Sequence, residues 1–277
     1  MPLAVCATPI GNLEDVTLRV LRELAEADLV LAEDTRHTRT LLERHGIRPA
    51  ALLSYHEHNE AARVAELLPR LEAGERVALV SDAGLPAVSD PGARLVRAAL
   101  EAGVPVTVLP GPSAVETALV ASGLVSDRYA FVGFVPRRAA ARDAFWRELA
   151  GWAWPAVAFE SPRRLPATLR SLAELSPARE LAVCRELTKR FEEVVRGPAA
   201  ALAERFAEPP KGEITLVLGP VEQERGPADA AAPAAAMAAV ADLVAAGTPR
   251  KVAAEVVARL TDVSRNALYE ASLGDDS

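Results

Sequence analysis

Short apolar segments alternate with segments of helical spacing through the first 115 residues, and this alternation constrains the fold more than any other feature of the sequence. The strand-like segments are residues 3–8, 28–32, 51–54, 76–80 and 104–109. The helical segments are residues 17–27, 38–45, 60–73, 93–102 and 113–122. Uniformly apolar strands are typical of a parallel sheet that is covered on both faces. The pattern therefore predicts an open α/β sheet over residues 1–115.

Turns rich in glycine and proline follow three of these strands, at residues 8–12, 81–86 and 110–114. Ligands of open α/β sheets bind beyond the carboxyl ends of the strands. We therefore expect the three turns to converge on one ligand. Ser113 is placed to begin the last helix of the series.

A second set of elements predicts a second α/β domain over residues 116–220. Its strand-like segments are residues 129–135, 156–159, 180–185, 192–195 and 214–218, and its helical segments are residues 142–150, 165–175 and 199–206. The segments around residues 180–195 have the pattern of a hairpin, so the sheet should be mixed in direction. Residues 221–233 are polar and rich in alanine and proline, which is typical of a linker.

Residues 234–277 are predicted to form a small helical tail. Pro249 begins one helix, residues 261–263 interrupt it, and Ser264 caps another, which is helix-turn-helix spacing. An ordinary helical hairpin, a contact with nucleic acid and a dimer element all fit this pattern.

Composition excludes some classes of protein and leaves others open. The net charge of −7 disfavours a chain wrapped in nucleic acid, although a local basic patch can still bind RNA. The first residues lack the charge and length of a signal peptide, and no apolar run reaches the ~18 residues of a membrane helix. Cys6 and Cys184 lie in apolar strands and are expected to be buried thiols, which fits a cytoplasmic location.

Several motifs, taken in their order and spacing, carry a resemblance to a known family. They are residues 7–15 (ATPIGNLED), 32–36 (AEDTR), 55–59 (YHEHN), 81–86 (SDAGLP), 110–114 (PGPSA), 131–136 (FVGFVP), 160–164 (ESPRR), 185–189 (RELTK) and 211–213 (KGE). Nearly the whole chain resembles the tetrapyrrole methylase superfamily and, within it, the ribosomal RNA small subunit methyltransferase I family.

The resemblance implies a class III methyltransferase fold of two α/β domains, with S-adenosylmethionine in the cleft between them and a small helical tail. It also implies a homodimer that methylates the ribose 2′-oxygen of a decoding-centre cytidine in 16S ribosomal RNA, within the 30S subunit. Tetrapyrrole-making relatives carry a Gly-x-Gly-Pro-Gly-Asp loop after the first strand, whereas this chain has Thr8-Pro9-Ile10-Gly11-Asn12. This difference argues against the alternative of a tetrapyrrole substrate. A module that binds without catalysis is the third hypothesis.

Eight residues in or beside the matching motifs are candidates for binding the cofactor, since small residues let the backbone approach a ligand closely. Asp82 is expected to accept a hydrogen bond from the methionine ammonium. Ser113 and Ala114 open a helix whose N–H groups could meet the carboxylate. The remaining candidates are Pro9, Gly11, Ala83, Leu85 and Phe159.

A ribose hydroxyl is a poor nucleophile that must be oriented and deprotonated. The catalytic candidates are Lys189, Lys211 and Glu213, with Glu33 and Asp34 as further possible bases. A desolvated lysine beside arginines could have a lowered pKa and act as the base. Structural ion pairing is the alternative for each residue, and the sequence does not select one base.

Arginines after predicted strand ends are candidates for binding RNA, and solvated surface charge is the alternative for each of them. They are Arg36, Arg39, Arg163, Arg164 and Arg190. Lys189 is a candidate for the same role. His56 and His58 supply two possible metal ligands without a third, so no metal is expected.

Overall fold

A computed structural model describes residues 2–221, 227–261 and 263–273. The chain divides after Val221 into two compact units. The fold class is as predicted, with two α/β sheets in the first unit and helices in the second. Within the described part of the chain, every helix is too short or too polar to cross a bilayer.

The first sheet contains five parallel strands in the order β3-β2-β4-β1-β5. Its strands are β1 (Leu3–Cys6), β2 (Leu29–Ala32), β3 (Leu52–Ser54), β4 (Val77–Val80) and β5 (Val106–Leu109). The helices that follow them are α1 (Leu18–Glu26), α2 (Thr35–Arg44), α3 (Glu60–Glu72), α4 (Ala93–Glu101) and α5 (Ala114–Ser122). The predicted parallel sheet is confirmed.

Strand order explains why one edge of this sheet can bind a ligand. β1 lies between β4 and β5, so the turns that leave these three strands are neighbours at the carboxyl edge. The chain changes direction across the sheet beside β1, which is where open α/β sheets form a crevice.

The second sheet is mixed, as predicted, with the order β6-β7-β10-β8-β9. Its strands are β6 (Ala130–Phe134), β7 (Ala156–Glu160), β8 (Glu180–Arg185), β9 (Glu193–Pro198) and β10 (Ile214–Leu218). Helices α6 (Ala139–Leu149), α7 (Leu165–Leu175) and α8 (Ala199–Arg205) follow in the same domain. β6 pairs with β7 in parallel, and the other neighbouring strands are antiparallel, including the predicted β8–β9 hairpin.

Helix α5 joins the two sheets within the first unit. Its buried residues Val115, Ala118 and Leu119 pack in one core with Ala182 and Val217 of the second sheet. Helices α6, α7 and α8 supply the other large core of that sheet. The loops at both sheet edges are thereby fixed relative to each other.

Helix starts account for the main differences from the predicted elements. α2 begins at Thr35, three residues before its expected start, because the carboxylate of Asp34 accepts a hydrogen bond from the Arg36 N–H at 2.8 Å. α6 begins at Ala139 rather than at residue 142, since alanines extend a helix readily.

The second unit contains α9 (Pro227–Ala245), α10 (Arg250–Leu260) and α11 (Arg265–Ala271) around a core of its own. Ser264 caps α11 as predicted, accepting a hydrogen bond from the Ala267 N–H at 3.2 Å. α9 includes residues 227–233, which the sequence pattern placed in the linker, and the alanines there favour a helix. Linker residues 222–226 and Asp262, in the predicted break, lie outside the described residues.

Candidate active site

The three glycine- and proline-rich turns converge, as predicted. Thr8 and Gly84 exchange backbone hydrogen bonds at 2.8 and 3.0 Å, which joins the turns after β1 and β4. The Ala7 N–H donates to the Leu109 carbonyl at 3.1 Å, which holds β1 against β5 as its turn begins. A Cβ at Gly111 would lie 2.9 Å from the Cβ of Ala7, so this close approach requires glycine.

A cavity of about 600 Å³ opens at these turns and is lined by both α/β domains. Its volume is in the range of sites for small molecules. Much of the wall is apolar, and Phe159 contacts two other rings, Phe131 at 4.9 Å and Phe134 at 5.4 Å between centroids. Leu187 and Cys184 line the same cavity from β8 and the loop after it. Both cysteines of the chain are free and buried, as expected.

Among the described residues, six carboxyl groups line this cavity: Glu33, Asp82, Asp90, Glu116, Glu160 and Glu213. Glu160 is buried and neutralised by Arg164, whose guanidinium lies 2.5 Å from it. Glu213 is paired with Lys189, and Glu116 accepts hydrogen bonds from two hydroxyl groups. Glu33, Asp82 and Asp90 leave negative charge on the wall that favours a cationic ligand.

The acidic side chains nearest the strand ends influence one another. Burial and the charge of Asp82 raise the pKa of Glu33. Burial and the charge of Glu33 raise the pKa of Asp90 to about 6. The Asp82 carboxylate accepts a hydrogen bond from the Asp34 N–H at 3.0 Å. The cavity therefore contains carboxyl groups that a positive ligand would help to ionise.

Ser113 occupies the predicted N-cap position of α5, but its side chain makes no capping hydrogen bond there. Its hydroxyl instead donates to Glu116, which also accepts from the Tyr129 hydroxyl at 2.7 Å. Burial alone would raise the pKa of Glu116, but these hydrogen bonds lower it below the ordinary value. The carboxylate of Glu116 thus lies at the helix terminus where a ligand carboxylate was expected.

A smaller cavity of about 110 Å³ adjoins the first and shares Ile10, Asp82, Ala83 and Glu213 with it. Lys189 lines this smaller cavity.

The ammonium of Lys189 lies 3.0 Å from Glu213 and 3.1 Å from Glu186. Burial alone would lower the pKa of Lys189, but hydrogen bonds and charge from the two carboxylates raise it above its ordinary value. The expectation of a lowered lysine pKa was therefore wrong, because acidic rather than basic groups surround the amine.

The loop that carries Lys189 has an unusual backbone. Glu186 and Thr188 have φ values of 53° and 64°, so two non-glycine residues adopt the left-handed region on either side of Leu187. Such conformations cost about 1–3 kcal/mol each and are often found at functional sites. The Asn12 N–H donates to the Thr188 hydroxyl at 3.0 Å, which joins this loop to the turn after β1.

The predicted cofactor residues divide between the two cavities. Those that line the large cavity are Asp82, Ala83, Leu85, Ser113, Ala114 and Phe159. Pro9 and Gly11 line the small one. A Cβ at Gly11 would lie 2.5 Å from the Cγ of Lys189, so this glycine accommodates the lysine loop.

Of the catalytic candidates, Lys189 and Glu213 come together, and Lys211 does not join them. Lys211 is exposed and lines neither cavity, although its carbonyl accepts a hydrogen bond from Arg185 at 3.3 Å. Asp34 caps α2, and hydrogen bonds from Arg36 hold its pKa well below the usual range. A strongly acidic, paired carboxylate is poorly suited to accept a proton at neutral pH.

The arginines predicted to bind RNA are exposed with one exception. Arg36 forms an ion pair with Asp34 at 2.6 Å, while Arg39 and Arg163 are exposed to solvent. Arg190 lies over the ring of Phe191 at 5.5 Å.

Arg164 is the exception, because it is only 25% exposed and its side chain is used inside the domain. It donates to the Val135 carbonyl at 2.9 Å and pairs with Glu160. Its geometry supports a structural role in place of the predicted contact with RNA.

Sequence reasoning missed Asp90, Glu116, Tyr129 and Phe134, all of which line the large cavity. A signal for Phe134 was present, because a glycine inside a strand pattern, here Gly133, often marks a bulge. The acidic residues gave no such signal, since their role depends on strand order. Among the described residues, no three or more histidine, cysteine, aspartate or glutamate side chains are arranged to hold a metal ion.

Comparison with known proteins gives one consistent family. The protein-family model for Tetrapyrrole (Corrin/Porphyrin) Methylases matches residues 2–203. A Mesorhizobium japonicum protein named ribosomal RNA small subunit methyltransferase I is 45% identical over 271 residues, 96% of this chain and 90% of that protein. Its namesake in Mycobacterium tuberculosis is 47% identical over 274 residues, 98% of this chain and 94% of that protein. Another, in Thermotoga maritima, is 44% identical over 217 residues, 78% of this chain but 97% of its own length.

Solved structures agree on the fold. The methyltransferase CobJ superposes with a TM-score of 0.61 at 20% identity, covering 79% of this chain and 94% of that one. Uroporphyrin-III C-methyl transferase from Thermus thermophilus, complexed with S-adenyl homocysteine, superposes with a TM-score of 0.55 at 22% identity. The match covers 78% of this chain and 96% of that one.

Proposed function

The chain belongs to the tetrapyrrole methylase family and, within it, to the ribosomal RNA small subunit methyltransferases I, and from this premise we propose that it methylates 16S ribosomal RNA with S-adenosylmethionine. The target we propose is the 2′-oxygen of a cytidine ribose in the decoding centre. The observation that carries the proposal is 45–47% identity over 96–98% of the chain to relatives with that name.

The large cavity suits this methyl donor. S-adenosylmethionine would supply a methyl group on a positively charged sulfonium. Asp82, Glu33 and Asp90 would face its positive groups, and the apolar wall with Leu85 and Phe159 would hold its adenosine part. A volume of about 600 Å³ leaves room for a molecule of this size.

The small cavity suits the ribose hydroxyl, because Lys189 and Glu213 meet there. With its pKa raised, Lys189 acts as an ammonium that donates a hydrogen bond to the oxygen as negative charge develops on it. Glu186 and Glu213 hold the ammonium in place from two sides. Glu213, which lines both cavities, is our candidate to accept the hydroxyl proton.

RNA would bind across the exposed arginines at the strand ends rather than over the whole acidic surface. We propose the assembled 30S subunit as the substrate, a homodimer as the working state and the cytoplasm as the location. Arg36, Arg39, Arg163 and Arg190 are retained as proposed contacts with RNA phosphate, since all four are exposed.

A tetrapyrrole substrate is the second candidate, because the superposed structures include a uroporphyrin-III methyl transferase. Its identity to this chain is 22%, which supports the shared fold alone. Uroporphyrinogen III is therefore a useful negative substrate in the same assay.

The deciding experiment is transfer of label from methyl-labelled S-adenosylmethionine to 30S subunits from a strain that lacks this modification. We expect labelled 2′-O-methylcytidine after complete digestion of the 16S RNA. Label on a base atom, or on uroporphyrinogen III instead of RNA, would contradict the proposal. A protein that binds the donor but labels neither 30S subunits nor free 16S RNA would contradict it as well.

A further inference from the structure

Phe134, the last residue of β6, exposes an aromatic ring at the large cavity. The residue is 57% exposed although it lines the cavity wall. Its ring packs edge-on against Phe159 at 5.4 Å, and Phe159 packs in turn on Phe131. An aromatic ring supported in this way offers an accessible surface that is already held in place.

A bulge in β6 aims this ring. Gly133 has a φ of 71°, and the pairing of β6 with β7 shifts register between Phe131 and Phe134. Bulges re-aim side chains and are frequent beside active sites.

The backbone immediately after Phe134 is fixed from both sides. The Val135 N–H donates to the Phe159 carbonyl at 3.0 Å, and the Val135 carbonyl accepts from Arg164 at 2.9 Å. Arg164 is itself held by Glu160, whose side chain is fully buried. The position of Phe134 is therefore set by buried polar contacts that the substrate does not have to create.

Three arginines follow the two strands that end at this edge of the sheet. Arg137 and Arg138 follow β6, and Arg163 follows β7, its parallel neighbour, so all three lie at the carboxyl ends of adjacent strands. The three side chains are exposed. From Phe134 to Arg142 the sequence contains no acidic residue, in a chain whose net charge is −7. Aromatic stacking surfaces flanked by arginine are how proteins bind unpaired nucleic acid.

We propose that Phe134 stacks on an unpaired base of the RNA substrate while Arg137, Arg138 and Arg163 contact the neighbouring phosphates. The inference rests on the proposed function, in which the ribose enters the small cavity. Because the two cavities adjoin, the base of that nucleotide or of its neighbour would then lie near the mouth of the large cavity, where Phe134 is exposed. Phe134 is the most exposed of the large apolar side chains that line the cavity. An exposed ring with arginines at the adjacent strand ends fits a base and its phosphates better than an apolar protein surface, which would not need the arginines.

The test compares Phe134→Leu, which keeps an apolar side chain without a π-face, with Phe134→Tyr, which keeps the ring. Binding of 30S subunits is measured in the absence of the methyl donor, and binding of S-adenosylmethionine is measured separately. We expect Phe134→Leu to weaken 30S binding by about tenfold or more, the scale of one stacked base, and to lower donor affinity by a much smaller factor, since the ring is exposed at the edge of the donor cavity. Phe134→Tyr should bind 30S subunits almost as the wild type does.

Leu100→Ala is the matched control, because Leu100 is 60% exposed near the carboxyl end of α4, which runs away from the cavity edge. Unchanged 30S binding in Phe134→Leu would overturn the inference. Loss of donor affinity with normal 30S binding would also overturn it, since Phe134 would then belong to the donor site. Because RNA binding is measured without turnover, failure of methyl transfer in the wild type would contradict the proposed function separately.

Arg137 and Arg138 allow a second, independent test of the proposed interface. The double variant Arg137→Gln and Arg138→Gln should weaken 30S binding and reduce the slope of log affinity against log salt by about one for each lost phosphate contact. An unchanged salt slope would remove these residues from the proposed interface.

Discussion

Lys189 is held as an ammonium by Glu186 and Glu213, so its expected role is to stabilise negative charge on the substrate oxygen. We expect Lys189→Ala to lower kcat for 30S methylation by about 10²–10³-fold, the usual effect of removing such a donor. Affinity for S-adenosylmethionine, measured by calorimetry, should remain within about twofold of the wild type because Lys189 lines the small cavity rather than the large one.

Asp82→Asn should lower the affinity for S-adenosylmethionine, in contrast to Lys189→Ala. The amide oxygen can still accept the hydrogen bond from the Asp34 N–H, but the negative charge in the large cavity is lost. We expect donor affinity to fall by about tenfold, in line with the loss of one charge-assisted contact. Equal loss of donor affinity in the two variants would contradict the separation of roles between the cavities.

Asp90 and Glu33 should make donor binding depend on pH. Burial and the charge of Glu33 raise the pKa of Asp90 from 3.8 to about 6, so Asp90 is partly protonated in mildly acidic solution. A cationic donor binds the ionised form better, and its affinity should therefore rise as the pH increases through 6. Calorimetric titrations at several pH values on either side of 6 would measure this rise, and Asp90→Asn should flatten it.

The raised pKa of Asp90 also predicts how the stability of the folded protein changes with pH, and this change can be measured without any ligand. Because the pKa of Asp90 is higher in the folded state, its stabilising contribution is present below the unfolded value of 3.8 and is lost as the pH rises towards 6. Asp90→Asn should consequently raise the melting temperature of the free protein at neutral pH. A melting temperature that falls at neutral pH would show that Asp90 is ionised and stabilised by a partner.

At the scale of elements, the repeated strands and helices were predictable because periodicity alone distinguishes them. The apolar runs that became β1, β2, β4 and β5 lie within a few residues of their expected positions. The convergence of the turns after β1, β4 and β5 was predicted from their glycine and proline content, but the strand order that produces it was not, since β1 is inserted between β4 and β5 by contacts far apart in sequence. The left-handed residues Glu186 and Thr188 also gave no local signal, because neither is a residue type that favours that conformation.

Gly11 tests whether the turn after β1 positions the lysine loop. A Cβ there would lie 2.5 Å from the Cγ of Lys189 and 2.7 Å from the hydroxyl of Thr188, so Gly11→Ala must displace the loop. We expect a loss of kcat of about tenfold or more, since small displacements of catalytic groups are costly, with little change in donor affinity. Gly151→Ala is the control, because a Cβ at Gly151 would contact nothing within 4 Å. Full activity in Gly11→Ala would show that the loop does not depend on this contact.

At the scale of the molecule, the site depends on residues that no single stretch of sequence contains. The wall of the large cavity runs from Ile10 in the first turn to Thr215 in β10, and the small cavity joins Pro9 to Lys189. Motif resemblance could identify many of these residues one by one. Their assignment to a donor cavity or to a lysine cavity required the fold, because the division follows from how the two sheets meet.

Removing the second unit is the sharpest test at this scale. Every described residue that lines either cavity lies in the first unit, which ends at Val221 and has its own cores. The Thermotoga maritima relative matches over 97% of its own length while covering 78% of this chain, so a protein with the same name exists without about a fifth of this sequence. A chain that ends at Val221 should therefore fold cooperatively and bind S-adenosylmethionine within about twofold of the full-length affinity. The shortened chain should also keep its kcat on 30S subunits. A selective rise in KM would assign a contact with RNA to the helical unit. Loss of donor binding would contradict the independence of the first unit.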